Sequence, residues 1–167
     1  MAQTQRLFKN EVAWVEQSAT TPLFAKRQDF GTPAQLAGLR FERNVLSLLI
    51  ARYELRFVPH QWWQYRYYGE VSTRWCQTDG ILFDFERGKI TIVEAKIRHT
   101  PDAWHQLFRT YLPILSVAFP GNLWDIACCE YVKHYDCDIS CPQKPKIYGS
   151  ISSVEPNEFG VVIWPSL

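Results

Sequence analysis

The run TDGILFDFERGKITIVEAK, from Thr78 to Lys96, constrains this chain more than any other stretch. Apolar residues alternate on both sides of the turn signal ERGK, the pattern of a β-hairpin. With Arg87-Gly88 at the tip, the expected cross-strand partners are Phe85 with Ile90, Phe83 with Ile92, Ile81 with Glu94, and Asp79 with Lys96. Directly opposed residues share a face, so Asp79, Glu94 and Lys96 should emerge together at the end away from the turn, on an otherwise apolar side. Charges in such a place need partners. A salt bridge from Lys96 to Asp79 or Glu94 supplies one. A divalent-cation site supplies another, because Mg²⁺ takes hard oxygen ligands, commonly one or two carboxylates completed by water and substrate phosphate. A lysine beside such a site orients an attacking water or stabilises charge developing on the phosphate.

A second anomaly lies in GLRFERNVLSLLIARYE. Thr32 as N-cap and Pro33 at the first position open a helix expected to run to about Glu54. Arg40, Arg43, Asn44 and Ser47 recur at helical spacing on a polar face. Glu42 falls instead with Leu39, Val45, Leu46 and Leu49, on the side meant for the sheet, and Gly38 leaves room one turn earlier. Either it reaches the hairpin's charges or it snorkels out at the helix edge. A third element, PDAWHQLFRTYLPIL, starts at Thr100-Pro101 and is expected to run through Leu112, where Pro113 stops or kinks it. Trp104, Leu107, Phe108, Tyr111 and Leu112 form its apolar side. Gln106 and Arg109 sit three apart, placed to meet a phosphate if that helix packs at the active end of the strands; Gln106 by itself also fits a surface position.

At 167 residues, 47% apolar and 21% charged, the chain suits one folded domain, 1–167. Its core is expected at about 36–132, with a helix over 5–17 and a loop over 18–32 before it, and strands within 145–167 after it. Further strands are expected over 56–68, where Pro59 suggests an edge position, and over about 124–135. The order reads as α/β, a mixed β-sheet flanked by helices. HQWWQYRYY reads as core rather than a base-stacking platform. Cys128, Cys129, His134, Cys137 and Cys141 lack a clean C-x2-C pair, so buried thiols are favoured over a structural metal. No apolar run is long enough to span a bilayer and no secretory leader is evident, which points to the cytosol, as do five cysteines without a disulfide framework. A net charge of +1 argues against nonspecific coating of nucleic acid, although arginines concentrate between Arg40 and Arg74. Arg40, Arg43, Arg98, His99 and Arg109 are the candidates for contacting a phosphate backbone.

Together these residues resemble the PD-(D/E)XK nuclease superfamily. The matching features are Glu42 in GLRFE, Asp79 in TDGIL, Glu94 and Lys96 in the E-x-K of VEAK, and Gln106 in HQLFRTY. Thr78 stands where proline often precedes the aspartate, and Tyr111 follows Gln106 by five residues where the exonuclease-like branch has four. The resemblance implies a restriction-endonuclease-like core and Mg²⁺-dependent cleavage of DNA, with Mn²⁺ able to substitute. It implies that Asp79 and Glu94 hold the metal, with the carbonyl of Ala95. Glu42 would complete the shell through water or bind a second ion, Lys96 would position the nucleophilic water, and Gln106 would orient Lys96 or substrate. The alternative is a nucleic-acid-binding or assembly module that keeps the cluster without using it for cleavage. A homodimer would suit cutting two strands, but no self-complementary face is legible.

Overall fold

The computed structural model describes residues 11–25, 31–136 and 142–164. Its strands are β1 (Val12–Ser18), β2 (Phe57–Tyr67), β3 (Arg74–Asp84), β4 (Lys89–Arg98), β5 (Asp125–His134), β6 (Lys146–Tyr148) and β7 (Phe159–Ile163). They form one seven-stranded mixed sheet in the order β1-β2-β3-β4-β5-β7-β6. β1 to β4 pair antiparallel as a meander, whereas β4–β5, β5–β7 and β6–β7 are parallel. The fold is α/β.

Helix α1 (Pro33–Tyr53) begins where expected, and Thr32 and Gln35 form a reciprocal capping box. It buries Phe41, Val45, Leu46 and Leu49 against Leu82, Val93, Ala127 and Cys129 on one face of the sheet. Helix α2 (residues 101–118) crosses from β4 to the parallel β5 and covers the other face, packing Leu107, Ile114 and Leu115 on Ile81, Ile90, Ile92, Cys128 and Val132. β4 lies between the two layers. Its residues Lys89 to Ala95 are all buried, which is why it reads as an apolar run in which a glutamate stands out.

Helix α2 does not end at Pro113. It is α-helical over Pro101–Trp104, π-helical over His105–Tyr111 and α-helical again over Leu112–Ala118. The N–H of Leu112 reaches back to the carbonyl of Leu107, five residues earlier. The wide turn carries the chain into a new helical segment in which Pro113, having no N–H to donate, occupies a first-turn position. The helix expected over 5–17 is also corrected: residues 12–18 are strand β1, and 5–10 lie outside the described residues. Val12 and Val15 pack against the α2-side core while the β1 backbone pairs with the open edge of β2, and that pairing overrides the helical spacing of NEVAWVEQ. β2 is internal, yet β1 reaches only Trp62 to Tyr67 of it, so Pro59 still occupies a locally unpaired edge.

Trp63 and Tyr65 are core residues. Cys128 and Cys129 are buried free thiols on opposite faces of β5; Cys137 and Cys141 lie outside the described residues. Burial raises the Cys128 thiol to about 12.

Gly80 is fixed by close packing. A Cβ there would sit 2.2 Å from Cζ of the Phe57 ring, which is itself buried. Gly80→Ala should therefore cost about 1–3 kcal/mol or more through overpacking. The check is a lowered denaturation midpoint in urea; an unchanged midpoint would mean that Phe57 moves freely.

Candidate active site

β2 and β3 change the phase of their pleat at one point. Phe57 and Leu82 face the α1-side core, whereas Trp63 and Cys76, the same parity further along their strands, face the α2-side core. The break falls at His60, which adopts φ 51°, and at Asp79 opposite it, the one step the β2–β3 ladder skips. Freed from strict alternation, the Asp79 carboxyl turns within the sheet toward β4, and its Oδ2 accepts the N–H of Ala95 at 2.8 Å. The β3–β4 ladder ends at Gly80 and Val93, so Asp79 takes a donor that a continuing strand would have taken. N–H and C=O of one strand residue project to the same side, so the carbonyl of Ala95 faces this gap as well.

The hairpin register differs from expectation by two residues. Asp84 pairs with Lys89 around a four-residue turn, so Phe83 opposes Ile90 and Ile81 opposes Ile92. Phe85 lies in the turn, 66% exposed and stacked on Phe83, rather than in the apolar stripe. The shift is even, so faces are preserved, but Asp79 now comes level with Glu94 instead of Lys96.

Glu94 is almost wholly buried. Its Oε1 lies 2.7 Å from Nζ of Lys96, while its Oε2 is buried with no hydrogen-bond partner. The Tyr111 hydroxyl also faces this carboxyl. Burial raises Asp79 well above the usual carboxylate range, and the charges of Glu94 and Glu42 push it further. Burial likewise raises Glu94, against the pull of Lys96. For Lys96, burial opposes the charge, but Glu94, Asp79 and Glu130 outweigh it and the ammonium holds its proton above the usual lysine range. A single salt bridge does not balance this cluster, because several acids surround one ammonium.

Glu42 is turned inward, its side chain 16% exposed, with Oε1 3.7 Å from Nδ1 of His60. It lines a cleft of about 640 Å³ between the N-terminal half of α1 and the end of β4, together with Ala95, Lys96 and Arg98. Gln106 is half-buried on the π-helical stretch, with no hydrogen bond to Lys96 among the described residues. The π-turn absorbs one extra residue, so Tyr111, five beyond Gln106, returns nearer the face of Gln106 than an α-helix would allow.

Glu130 escaped the sequence reading. It sits opposite Glu94 on the parallel strand β5, on the same face, with a fully buried side chain. Its Oε2 is 2.5 Å from Nδ1 of His99, and its Oε1 has no hydrogen-bond partner. The signal was present: IACCEYV, like ITIVEAK, sets one glutamate in a buried run. His99 is corrected accordingly. Its ring is 5% exposed and engaged with Glu130, so it does not offer itself to a phosphate backbone. Arg40, Arg43, Arg98 and Arg109 are exposed; Arg98 pairs with Asp136 at 3.6 Å, and Arg109 lies over the Trp104 ring on α2, away from the cleft.

No family model, curated protein or solved structure matches this chain. Among the described residues no three acidic, histidine or cysteine side chains gather into a ready-made metal cage, and no helix is long and apolar enough to cross a membrane. A magnesium site does not require such a cage, since one or two carboxylates with water and substrate oxygens suffice. The unpartnered, buried Oε2 of Glu94 beside the Asp79 carboxyl is a donor set of that kind.

Proposed function

We propose that this chain is a metal-dependent DNA nuclease built on a restriction-endonuclease-like core of the PD-(D/E)XK kind. The observation that carries the proposal is the meeting of Asp79, Glu94 and Lys96 where β3 and β4 part, with Glu42 within electrostatic reach and one Glu94 oxygen buried without a partner. Such a cluster costs folding energy, and a bound divalent cation is the simplest agent that offsets it. Asp79, Glu94 and the Ala95 carbonyl would hold Mg²⁺ or Mn²⁺, with Glu42 acting through water. The ion would supply Lewis-acid stabilisation of charge on the scissile phosphate and acidify a bound water.

The remaining roles follow from the side chains. Lys96 keeps its proton, so it acts as a hydrogen-bond donor and fixed positive charge rather than as a base. It orients the attacking water through a lone pair and faces the charge that grows on the phosphate. Tyr111 helps fix the Glu94 carboxyl, and the charge of Glu130 adds to the hold on the Lys96 ammonium. The unpaired thiols of Cys76, Cys128 and Cys129 suit a reducing compartment.

The second reading, a module that binds without cutting, is favoured by the contact of Glu94 Oε1 with Lys96 and by the lack of a three-ligand cage among the described residues. Incubation with plasmid and with linear single- and double-stranded DNA, in Mg²⁺ or in EDTA, separates the two. The nuclease reading expects cutting in Mg²⁺ alone. Lys96→Ala should lower the rate about 10²–10³-fold while Mn²⁺ affinity holds or tightens, because Oε1 of Glu94 is released. Wild-type protein that binds DNA yet leaves it intact in both ions would establish the module instead.

A further inference from the structure

Next to the cleft that holds Glu42 and Lys96 lies a second one, of about 370 Å³, between α1 and the end of β5. Ile97 is common to both, so the two are neighbours along one wall. Arg40 and Asn44 from α1, and Lys133 and His134 from β5, supply its polar groups, and Trp164 lines it as well. Among the described residues no aspartate or glutamate lines it. Arg40, Lys133 and His134 are exposed, and among the described residues no ion pair engages them. Cations left unneutralised around a concave surface suit a ligand with repeated negative charge.

We infer that this second groove is a backbone subsite for a single nucleic-acid strand leading into the cleft beside Lys96. The inference rests on the nuclease reading and deepens it by naming the form of the substrate. Two features favour one strand over a duplex. The cluster is recessed, with Glu94 only 2% exposed, and of its side chains Glu42 and Lys96 line the cleft between α1 and β4, so a phosphate meets Lys96 when its strand enters that cleft. The cations lie on both sides of a concavity, Arg40 on the helix and Lys133 on the strand, rather than on the flat or convex face a duplex would straddle. Phosphates then bind Arg40 and Lys133, and Asn44 offers an amide to the sugar or a base edge. The half-buried Trp164 ring, held against Phe41 and Tyr131, gives the strand an aromatic floor.

The test is fluorescence anisotropy with a labelled oligo(dT) strand and a duplex of equal length, in EDTA so that binding is read without cleavage. Wild-type protein should bind the single strand more tightly. Arg40→Ala with Lys133→Ala should weaken that binding about tenfold and flatten the log K against log salt slope by about 1.4, the share of two phosphate contacts on a single strand. Both side chains are exposed, so the melting temperature should stay unchanged, which keeps the binding result interpretable. Unchanged affinity and slope in the double variant, or a wild-type preference for duplex, would overturn the subsite. Metal-dependent cutting by the wild type is scored separately. Cutting with no effect of the double variant removes the groove and leaves the nuclease; loss of binding in the variant without any cutting by the wild type does the reverse.

Discussion

Asp79→Asn is expected to abolish metal-dependent cleavage and, in the same protein, to raise the melting temperature at neutral pH. The first half follows from the role proposed for Asp79: an amide oxygen is a poor ligand for a hard cation, and a loss of about 10³-fold or more in rate is the expected scale. The second half follows from the cost of keeping this carboxylate ionised. Burial, then Glu94 and Glu42, disfavour its charge, while the Ala95 N–H and Lys96 recover only part of the loss. Its folded value lies above its unfolded one. The stability it contributes is therefore complete below the unfolded carboxylate range and is lost as pH rises through the folded value. Asparagine fills the same volume, still accepts the Ala95 N–H, and carries no charge. Each kcal/mol recovered is worth about 2–4 °C in a domain of this size. The gain should be present at pH 7–8 and shrink toward acid, where the wild type is protonated too. Melting followed by circular dichroism in EDTA across that range reads the effect. A lower melting temperature at every pH would make Asp79 a structural anchor of the β3–β4 gap, and the metal-ligand assignment would fail with it.

The cluster was legible because charge is conspicuous in a run such as ITIVEAK, and because the face of a side chain depends only on parity. The four-residue hairpin turn proved to begin one residue earlier, at Phe85 rather than Glu86, moving every cross-strand pair by two, yet Asp79, Glu94 and Lys96 stayed neighbours since an even shift leaves parity intact. Parity alone would still have placed Asp79 wrongly. Its approach to Ala95 depends on the left-handed backbone of His60 on the adjacent strand, a conformation that histidine does not announce. Pro113 misled for a related reason. The usual penalty of proline is a lost i→i−4 bond, and a π-turn upstream removes that penalty without any local mark in the sequence. Residues 12–18 carry helical spacing but become a strand because β2 offers an open edge, which is a property of the assembled sheet. Glu130 needed no assembly to be noticed; what the sequence withholds is its alignment with Glu94 across a parallel ladder, set by the α2 crossover between them.

Addition of Mn²⁺ should stabilise the protein, and the stabilisation should grow with pH. Asp79 and Glu94 are both raised, chiefly by burial, and must both be ionised to act as ligands. Without an ion, wild-type stability falls as pH rises through their folded values. With an ion present the same deprotonation creates the binding site, so the fall is offset and the apparent affinity climbs. At an ion concentration about a hundredfold above the dissociation constant the gain is about 2.7 kcal/mol, or about 5–10 °C in melting temperature. Between pH 5 and pH 8 the Mn²⁺ concentration giving half the effect should fall steadily. Calorimetric titration in buffers of different ionisation enthalpy should show protons released on binding. EDTA should return the melting curve to that of the metal-free protein, and Asp79→Asn should remove both the thermal shift and the proton release. Lys96 sharpens the test, since its ammonium already occupies Oε1 of Glu94 and competes for that oxygen alone. A melting temperature indifferent to Mn²⁺ from pH 6 to pH 8 would mean that Lys96 is the only cation these carboxyls ever meet, and the cluster would then be a structural ion-pair network.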